Sequence, residues 1–417
     1  MKKTSSVSTP VSRQRIVLAG FLLALMGGFS YAWGVLVVPV MDRFGWSKAE
    51  ATLPFTAFMV VFALAMVPAG SLQDRWGPRI VSAAGAALFL IAYVLAALVG
   101  YFPHAWWLVL SYGLIGGTAC ALTYACVAPS ARKWFPDQPA LAVSTAVMGF
   151  GLAALIVSPI KSEYLLVIHG IEGTFLIIGA LTFVVSMIAS RMLANPPPDW
   201  SPRGWTAPTG ASRAGAGGRE YAPGEVWRTP RFWMIWLAFG AVTSGGLMSI
   251  ALLPAYGRSI GLTSAQAALA ISVFAAFNGF GRPLGGFLAD RFGVLRVMTA
   301  TYAVQTVTLL AFPLAADSMP TLFVSAAVLG WGFAVTLGLF PVLTSACFGV
   351  RHLGGNYGLV FTAFGAGSLA PMLGAWSYDA TGGYGPAFVT AGGLAGLGLV
   401  LCGYMMTRGT GGDEPPG

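Results

Sequence analysis

The sequence predicts an all-α membrane protein in which twelve transmembrane helices form two similar bundles of six. Three observations predict this class. The chain of 417 residues is 56% hydrophobic and only 9% charged, whereas soluble domains carry about 25% charged residues. Twelve apolar stretches are long enough to cross a bilayer. A loop phrase of the first half, GSLQDRWGPR at 70–79, returns in the second half as GFLADRFGVLR at 286–296.

The apolar stretches follow one another through short polar loops, and several contain Gly or Pro, which indicates bends. The first stretch is too long for a cleaved signal peptide, and no small-residue cleavage site follows it. The predicted spans are 16–40, 52–72, 80–101, 105–131, 139–160, 172–193, 229–254, 263–289, 296–316, 320–348, 356–377 and 385–407.

One long polar stretch separates spans 6 and 7. It contains PPP at 196–198 and GASRAGAGGRE at 210–220, a composition typical of a flexible linker. We therefore expect five parts: an N-terminal tail (1–15), a first bundle (16–193), a linker (194–228), a second bundle (229–407) and a C-terminal tail (408–417).

The repeated phrase indicates that one helical unit occurs twice. Secondary transporters are commonly built from such repeats, with the substrate site between the halves near the bilayer midplane. The matched residues are Gly70, Leu72, Asp74, Arg75 and Gly77 in the first half and Gly286, Leu288, Asp290, Arg291 and Gly293 in the second.

The basic residues predict the orientation. With an even number of spans, both tails and the linker share one side, which holds eighteen Lys and Arg residues against four on the other. The positive-inside rule then predicts a multi-pass protein of the cell (inner) membrane with both termini in the cytoplasm.

The net charge of +9 is scattered over loops, so no nucleic-acid partner is expected. The cysteines lack metal or disulfide spacing, and we expect neither a metal nor another cofactor nor enzymatic activity.

Arg282 is the strongest candidate for function. It lies eight residues before the loop residue Asp290, about 12 Å along a helix, and so near the middle of a hydrocarbon core about 30 Å thick. A charge there costs about 2.5 kcal/mol or more and must face a partner or a cavity. All fourteen acidic residues lie in loops, tails or span ends. Arg282 is therefore expected to bind an anionic substrate, with Asn278 one turn earlier on the same face; the alternative is a structural role among backbone carbonyls.

A lone embedded cation limits the substrate. One carboxylate neutralises one guanidinium in a bidentate pair, whereas a dianion would leave a buried negative charge without compensation. The sequence therefore favours a monocarboxylate.

Several motifs resemble a known family. The repeated G-x-L-x-D-R-x-G phrase is similar to the loop signature of the major facilitator superfamily. Within that superfamily the chain resembles the monocarboxylate transporters and the oxalate–formate antiporters. The motifs that carry this resemblance are GFSYAW at 28–33, RKWFPD at 132–137, GEVWRTPRFW at 224–233, NGFGRPLGG at 278–286 and NYG at 356–358.

The resemblance implies roles for further residues. Two tyrosines correspond to substrate-facing positions, three phenylalanines would form walls of the pocket, and four charged residues of the repeated loops would hold one face closed. Ordinary helix packing and solvated turns are the alternatives. The residues are, in the same order, Tyr31 and Tyr124; Phe333, Phe361 and Phe364; and Asp74, Arg75, Asp290 and Arg291.

The chain also departs from the family pattern. The antiporter lysine of span 11 is replaced by Phe364, and the span 5 tyrosine by Phe150. The antiporter aromatics of span 10 correspond to Phe333 and Leu337, and the acid that precedes the arginine in mammalian-type monocarboxylate transporters is replaced by Asn278. These departures imply a more apolar pocket with one charge fewer, which argues against oxalate.

The expected function is secondary active transport of a small monocarboxylate such as L-lactate or pyruvate, by alternating access in the lipid bilayer. Proton symport is expected, because a bound carboxylate would itself neutralise Arg282 and a proton would travel with the anion. Exchange of one carboxylate for another, of the oxalate–formate type, is the alternative. A carboxylate sensor that does not transport is a remote third possibility.

Overall fold

The computed structural model describes residues 12–197, 200–202, 204–205 and 219–408. Most of both predicted tails and the glycine-rich part of the predicted linker lie outside these residues. Within them, the chain is built from long helices joined by short turns.

Eleven helical segments of the described chain are long and apolar enough to cross a membrane. We number the membrane helices 1 to 12 in chain order. The segments are Arg13–Phe44, Lys48–Trp76, Pro78–Gly100, Ala105–Trp134, Pro139–Met192, Pro230–Ser259, Ser264–Phe292, Val294–Ala315, Met319–Phe348, Leu353–Tyr378 and Gly385–Arg408.

The segment Pro139–Met192 is two membrane helices. Its 54 residues would extend about 81 Å as one helix, more than twice the thickness of the hydrocarbon core. The backbone turns at Gly170, where φ is 65° and ψ is −167°. Helix 5 therefore covers 139–169 and helix 6 covers 171–192, and the prediction of twelve helices is confirmed.

Replacement of Gly170 by alanine tests this turn. Only glycine adopts its backbone angles readily, and forcing another residue into this region costs about 1–3 kcal/mol. We expect Gly170→Ala to lower the thermal unfolding midpoint of the detergent-solubilised protein. Gly34→Ala is the matched control, because Gly34 is helical and a Cβ there would meet no atom within 4 Å. Equal midpoints for the two variants would contradict this explanation of the turn.

Helix 1 is interrupted in its middle. It runs as an α-helix from Arg13 to Gly28, tightens into a 3-10 turn over Phe29–Trp33 and continues as an α-helix from Gly34 to Phe44. Ala32 has non-helical angles (φ −87°, ψ 18°). The Trp33 indole nitrogen donates to the Ala51 carbonyl at 2.9 Å, which anchors the turn to helix 2. Tyr31 is carried by this irregular turn.

The two bundles, helices 1–6 and 7–12, meet mainly through helices 2 and 11 and through helices 5 and 8. Small residues make these contacts close. A Cβ at Gly70 would collide with the Gly354 carbonyl oxygen, and a Cβ at Gly286 would lie 2.5 Å from the Ala140 carbonyl oxygen. Each pair joins one residue of a repeated loop phrase to the start of a helix in the other bundle.

The start of helix 1 and the start of the linker lie at the same end of the molecule, here called the linker side. Arg13 forms an ion pair with Asp137 at 2.8 Å. Arg79 donates to the Arg191 carbonyl at 2.9 Å, and the indole nitrogen of Trp134 donates to the linker carbonyl of Ala194 at 2.7 Å. The closest contacts between the bundles, described above, are also at this side.

Candidate functional site

Arg282 lies between the two bundles, in the middle of helix 8, and is fully buried. Its Nη1 donates to the Val147 carbonyl of helix 5 at 2.7 Å, so the side chain crosses from one bundle to the other. Its Nη2 donates to Asn278 Oδ1, one helical turn earlier, at 3.3 Å. Its Nε has no hydrogen-bond partner. Asn278 Oδ1 therefore accepts from the guanidinium.

The charge of Arg282 is surrounded by neutral groups. The ion pairs among the described residues, Arg13–Asp137, Arg43–Glu172 and Arg219–Glu225, do not include it. Its hydrogen bonds go to a carbonyl and an amide oxygen. A buried cation without a counter-ion strongly favours an incoming anion, and the unpaired Nε is a ready donor.

Three tyrosines face the guanidinium. Tyr31, Tyr124 and Tyr357 are all close enough to Arg282 to interact with it electrostatically. The Tyr357 hydroxyl is buried and has no partner. These hydroxyls can donate to a carboxylate or to a neighbouring hydroxyl of a bound molecule.

Four phenylalanines form an aromatic cage with the tyrosines. The Phe62 ring centroid is 5.6 Å from that of Tyr124 and 5.1 Å from that of Phe361. Phe361 stacks on Phe364 at 5.0 Å, and Phe150 lies 4.9 Å from Tyr31. The cage thus combines rings from both bundles. Its apolar walls exclude water and strengthen any interaction between an anion and Arg282.

The structure brings together most of the substrate-binding candidates, but not Phe333. That ring packs against Gly246 and lies 6.0 Å from the Phe274 ring, inside the second bundle. It is fully buried there and supports the packing of helices 7, 8 and 10. The family resemblance identified a position on helix 10, but the orientation of the helix directs this ring away from the cage.

Two members of the cage were missed by the sequence analysis. Tyr357 belongs to the NYG motif at 356–358, which the sequence analysis used only as evidence for the family resemblance. Phe62 lies in a uniformly apolar stretch, where a residue that faces the site looks the same as one that faces lipid.

Lys161 shows that the expectation of a single embedded cation is wrong. Lys161 is one of the four basic residues counted on the side opposite the tails and the linker, but it is only 3% exposed. Its Nζ donates to the Phe29 carbonyl at 3.3 Å. Arg282 is therefore not the only buried cation, although it is the cation of the aromatic cage.

Asp74 and Asp290 join the two bundles at the linker side. Asp74 accepts from the backbone nitrogens of Gly354 and Gly355 at 3.2 and 2.8 Å. These residues open helix 11, and a carboxylate at a helix N-terminus is stabilised by the helix dipole. Both aspartates lie in the last turn of their helices rather than beyond them.

Asp290 repeats this arrangement in the other pair of helices. It accepts from the backbone nitrogens of Ala140 and Leu141, at the start of helix 5, at 3.0 and 2.8 Å. The repeated sequence phrase thus forms two equivalent contacts, each from the end of one helix to the start of a helix in the opposite bundle.

The arginines of the repeated phrase are placed differently. Arg75 and Arg291 are exposed, and the guanidinium of Arg291 lies over the Phe292 ring at 5.6 Å. Two cations of another motif interact electrostatically with the aspartates: Lys133 with Asp74, and Arg132 with Asp290. Both belong to the RKWFPD motif at the end of helix 4.

Comparison with known families agrees with this architecture. The model of the Major Facilitator Superfamily matches residues 16–258 and 238–416, nearly the whole chain. The protein belongs to the major facilitator superfamily.

Solved structures show the same fold. The transporter FucP in its outward conformation matches with a TM-score of 0.70 and 14% identity, over 94% of this chain and 99% of FucP. The human organic anion transporter MFSD10 matches with a TM-score of 0.68 and 15% identity, over 95% and 100%.

Relatives of this facilitator include transporters whose names refer to carboxylates. The oxalate:formate antiporter of Oxalobacter formigenes is 28% identical over 85% of this chain and 82% of its own. Monocarboxylate transporter 13 of Bos taurus is 27% identical over 93% and 88%. The protein is therefore similar to the two groups that the sequence motifs indicated.

Proposed function

We propose that this facilitator transports a small monocarboxylate, such as L-lactate or pyruvate, with a proton. The observation that carries the proposal is Arg282, a fully buried cation held by neutral oxygens inside an aromatic cage between the bundles. A carboxylate would accept from the guanidinium in place of the Val147 carbonyl and gain the free Nε. The Tyr31 and Tyr124 hydroxyls would contact the same anion or its 2-hydroxyl.

The charge of the cage favours a monoanion. Arg282 is its cation, whereas Lys161 is hydrogen-bonded to the helix 1 backbone. One carboxylate then leaves the cage neutral, which is the least costly state in a medium of low dielectric. The rings of Phe361 and Phe364 would pack against the methyl group of lactate or pyruvate.

Proton symport follows from the same charge balance. The hydrogen-bond and electrostatic partners of Arg282 among the described residues include no acid. The carboxylate itself compensates Arg282. A proton that travels with each anion would make transport electroneutral, whereas the anion alone would move one negative charge across the membrane. Carboxylate exchange remains the second candidate, because one relative is named as an antiporter of oxalate and formate.

The contacts between the bundles support alternating access. With the linker side closed by Asp74, Asp290 and the glycine contacts, substrate would reach Arg282 from the opposite side. If the termini are cytoplasmic, as the distribution of Lys and Arg predicts, that opposite side is the outside of the cell membrane.

Uptake into proteoliposomes tests this proposal. We expect radiolabelled L-lactate uptake that increases when a proton gradient directed inward is imposed. Uptake that ignores the gradient but requires a carboxylate inside the vesicle would establish exchange instead. Binding of L-lactate to the detergent-solubilised protein without any flux would support a sensor. The absence of both binding and flux, with L-lactate and with pyruvate, would overturn the proposed substrate class.

Phe364→Lys tests the charge argument. A lysine here would add a second cation beside Phe62 and Phe361, at the position where the antiporter pattern has lysine. We expect lactate uptake to fall and competition by the dianion oxalate to appear, because two cations match two carboxylates. Two quantities are measured: the inhibition of lactate uptake by oxalate, and the direct binding of oxalate to the protein. Phe364→Met is the control, since it changes the ring without adding charge; oxalate binding equal in both variants would contradict the argument.

A further inference from the structure

Lys161 is an unusual residue for its position. Gly151 lies at the level of Arg282, since a Cβ there would be 3.2 Å from Arg282 Nε. Lys161 is ten residues further along helix 5, about 15 Å, and so near the edge of the hydrocarbon core. Lysines at such edges usually extend toward water. Lys161 instead turns inward and is 3% exposed.

The acceptor of Lys161 explains this orientation. Phe29 follows the first α-helical part of helix 1, Arg13–Gly28, and begins the 3-10 turn. A carbonyl in a 3-10 turn accepts from the nitrogen three residues later, and its second lone pair can still accept from the ammonium group. The ammonium group donates to the Phe29 carbonyl at 3.3 Å, and the ion pairs among the described residues do not include it. A buried charge is thus used to hold a backbone break.

The break has a direct connection to the Arg282 site. Tyr31 is two residues after Phe29, within the same five-residue turn. Its ring contacts Phe150 at 4.9 Å, and it interacts electrostatically with Arg282. Helix 1 is also pressed against helix 5 just before the break, because a Cβ at Gly28 would lie 2.7 Å from the Phe150 carbonyl oxygen. Helix 5 thus holds the start of the turn by two contacts, the packing at Gly28 and the hydrogen bond from Lys161 to Phe29.

We propose that Lys161 is a positioning residue for substrate binding: by holding the Phe29 carbonyl, it fixes the break in helix 1 that presents Tyr31 to the Arg282 site. The functional part of this proposal rests on the proposed binding of a carboxylate at Arg282. The structural part, that Lys161 orders the turn at Phe29–Trp33, does not.

Lys161→Met tests both parts. Methionine keeps a long side chain but removes the ammonium group, and exchange of a buried charge for an apolar group often leaves stability unchanged or raised. We expect an unchanged or higher thermal unfolding midpoint. We also expect faster hydrogen exchange in peptides that cover Phe29–Trp33, and an apparent KM for L-lactate raised about tenfold, the scale of one hydrogen bond to a charged group.

A double-mutant cycle with Tyr31→Phe identifies the route of the effect. If Lys161 acts through Tyr31, the KM of the double variant will be no higher than that of the weaker-binding single variant, because both changes remove one coupled arrangement. Effects on KM that multiply would overturn the proposal. A lower unfolding midpoint for Lys161→Met with wild-type KM and wild-type exchange at Phe29–Trp33 would also overturn it, and would assign Lys161 a purely structural role.

Two further variants separate this inference from the proposed function. Lys161→Arg keeps a cation and is expected to retain exchange protection at the turn; if Lys161→Met fails to fold, Lys161→Gln replaces it in the cycle. Arg282→Gln should abolish lactate binding without changing exchange at Phe29–Trp33. Wild-type lactate binding by Arg282→Gln would refute the proposed function. Loss of lactate binding in Arg282→Gln, together with wild-type KM and wild-type hydrogen exchange in Lys161→Met, would refute only the role of Lys161.

Discussion

Arg282→Gln is expected to reduce carboxylate uptake at least about 100-fold. The guanidinium supplies two donors in a fixed planar fork, and hydrogen bonds to charged groups contribute about 1.5–3 kcal/mol each. Every 1.4 kcal/mol is about tenfold in affinity. Glutamine keeps an amide donor near the position of Nε, but it is shorter than arginine, lacks the fork and carries no charge. The measurement is initial uptake in proteoliposomes together with direct binding of L-lactate.

The stability of this variant distinguishes a binding role from a structural one. A substrate-binding arginine without a counter-ion is costly to bury, so Gln at 282 should leave the unfolding midpoint unchanged or raised. If Arg282 served only to join helices 5 and 8 through the Val147 carbonyl, the midpoint would fall and binding would persist in the folded fraction. Arg282→Lys keeps the charge but loses the fork, and an intermediate loss of about tenfold is expected. Arg258→Gln, at an exposed arginine, is the control and should transport normally.

The double variant Asp74→Asn, Asp290→Asn is expected to open the linker side. Each carboxylate accepts from two backbone nitrogens of a helix in the other bundle, at 2.8–3.2 Å. Removing the charge weakens these bonds and the interaction with the helix dipole by about 1–2 kcal/mol per site. Together the two sites shift the balance between closed and open forms by at least about tenfold.

Cysteine labelling measures this opening. Ser144 is fully buried between helices 5 and 10, beside Gly338, and its hydroxyl has no hydrogen-bond partner. In a background without the natural cysteines, Ser144→Cys should react with maleimide at least about ten times faster in the double variant, while uptake falls. Asp42→Asn, at an exposed aspartate, is the matched control. Unchanged labelling in the double variant would mean that the glycine contacts alone close this side.

The two buried cations differ in what their surroundings permit. The Nε of Arg282 has no hydrogen-bond partner, and the guanidinium lies among hydroxyls and rings from both bundles. Lys161 is enclosed by helices 1 and 5 and directed at a backbone carbonyl. The same formal charge is therefore proposed to bind substrate at Arg282 and to position a backbone turn at Lys161.

The sequence by itself determined the class of this protein. Helix number follows from the lengths of apolar runs, because a fixed bilayer thickness demands a fixed number of residues per crossing. Arg282 could be singled out because a charge within such a run is rare and costly. The repeat indicated that one helical unit occurs twice, and in the structure Asp74 and Asp290 have equivalent partners.

Only the tertiary structure decided which side chains meet. Phe62, Phe361 and Phe364 reach the cage, but Phe333 does not, because the rotation of each helix about its axis is set by packing against its neighbours rather than by apolar periodicity. In lipid both faces of a helix are apolar, so the sequence pattern does not reveal which face is buried. Lys161 was assigned to the loop after the apolar stretch 139–160, because only the packing of helix 5 against helix 1 shows that its side chain turns inward.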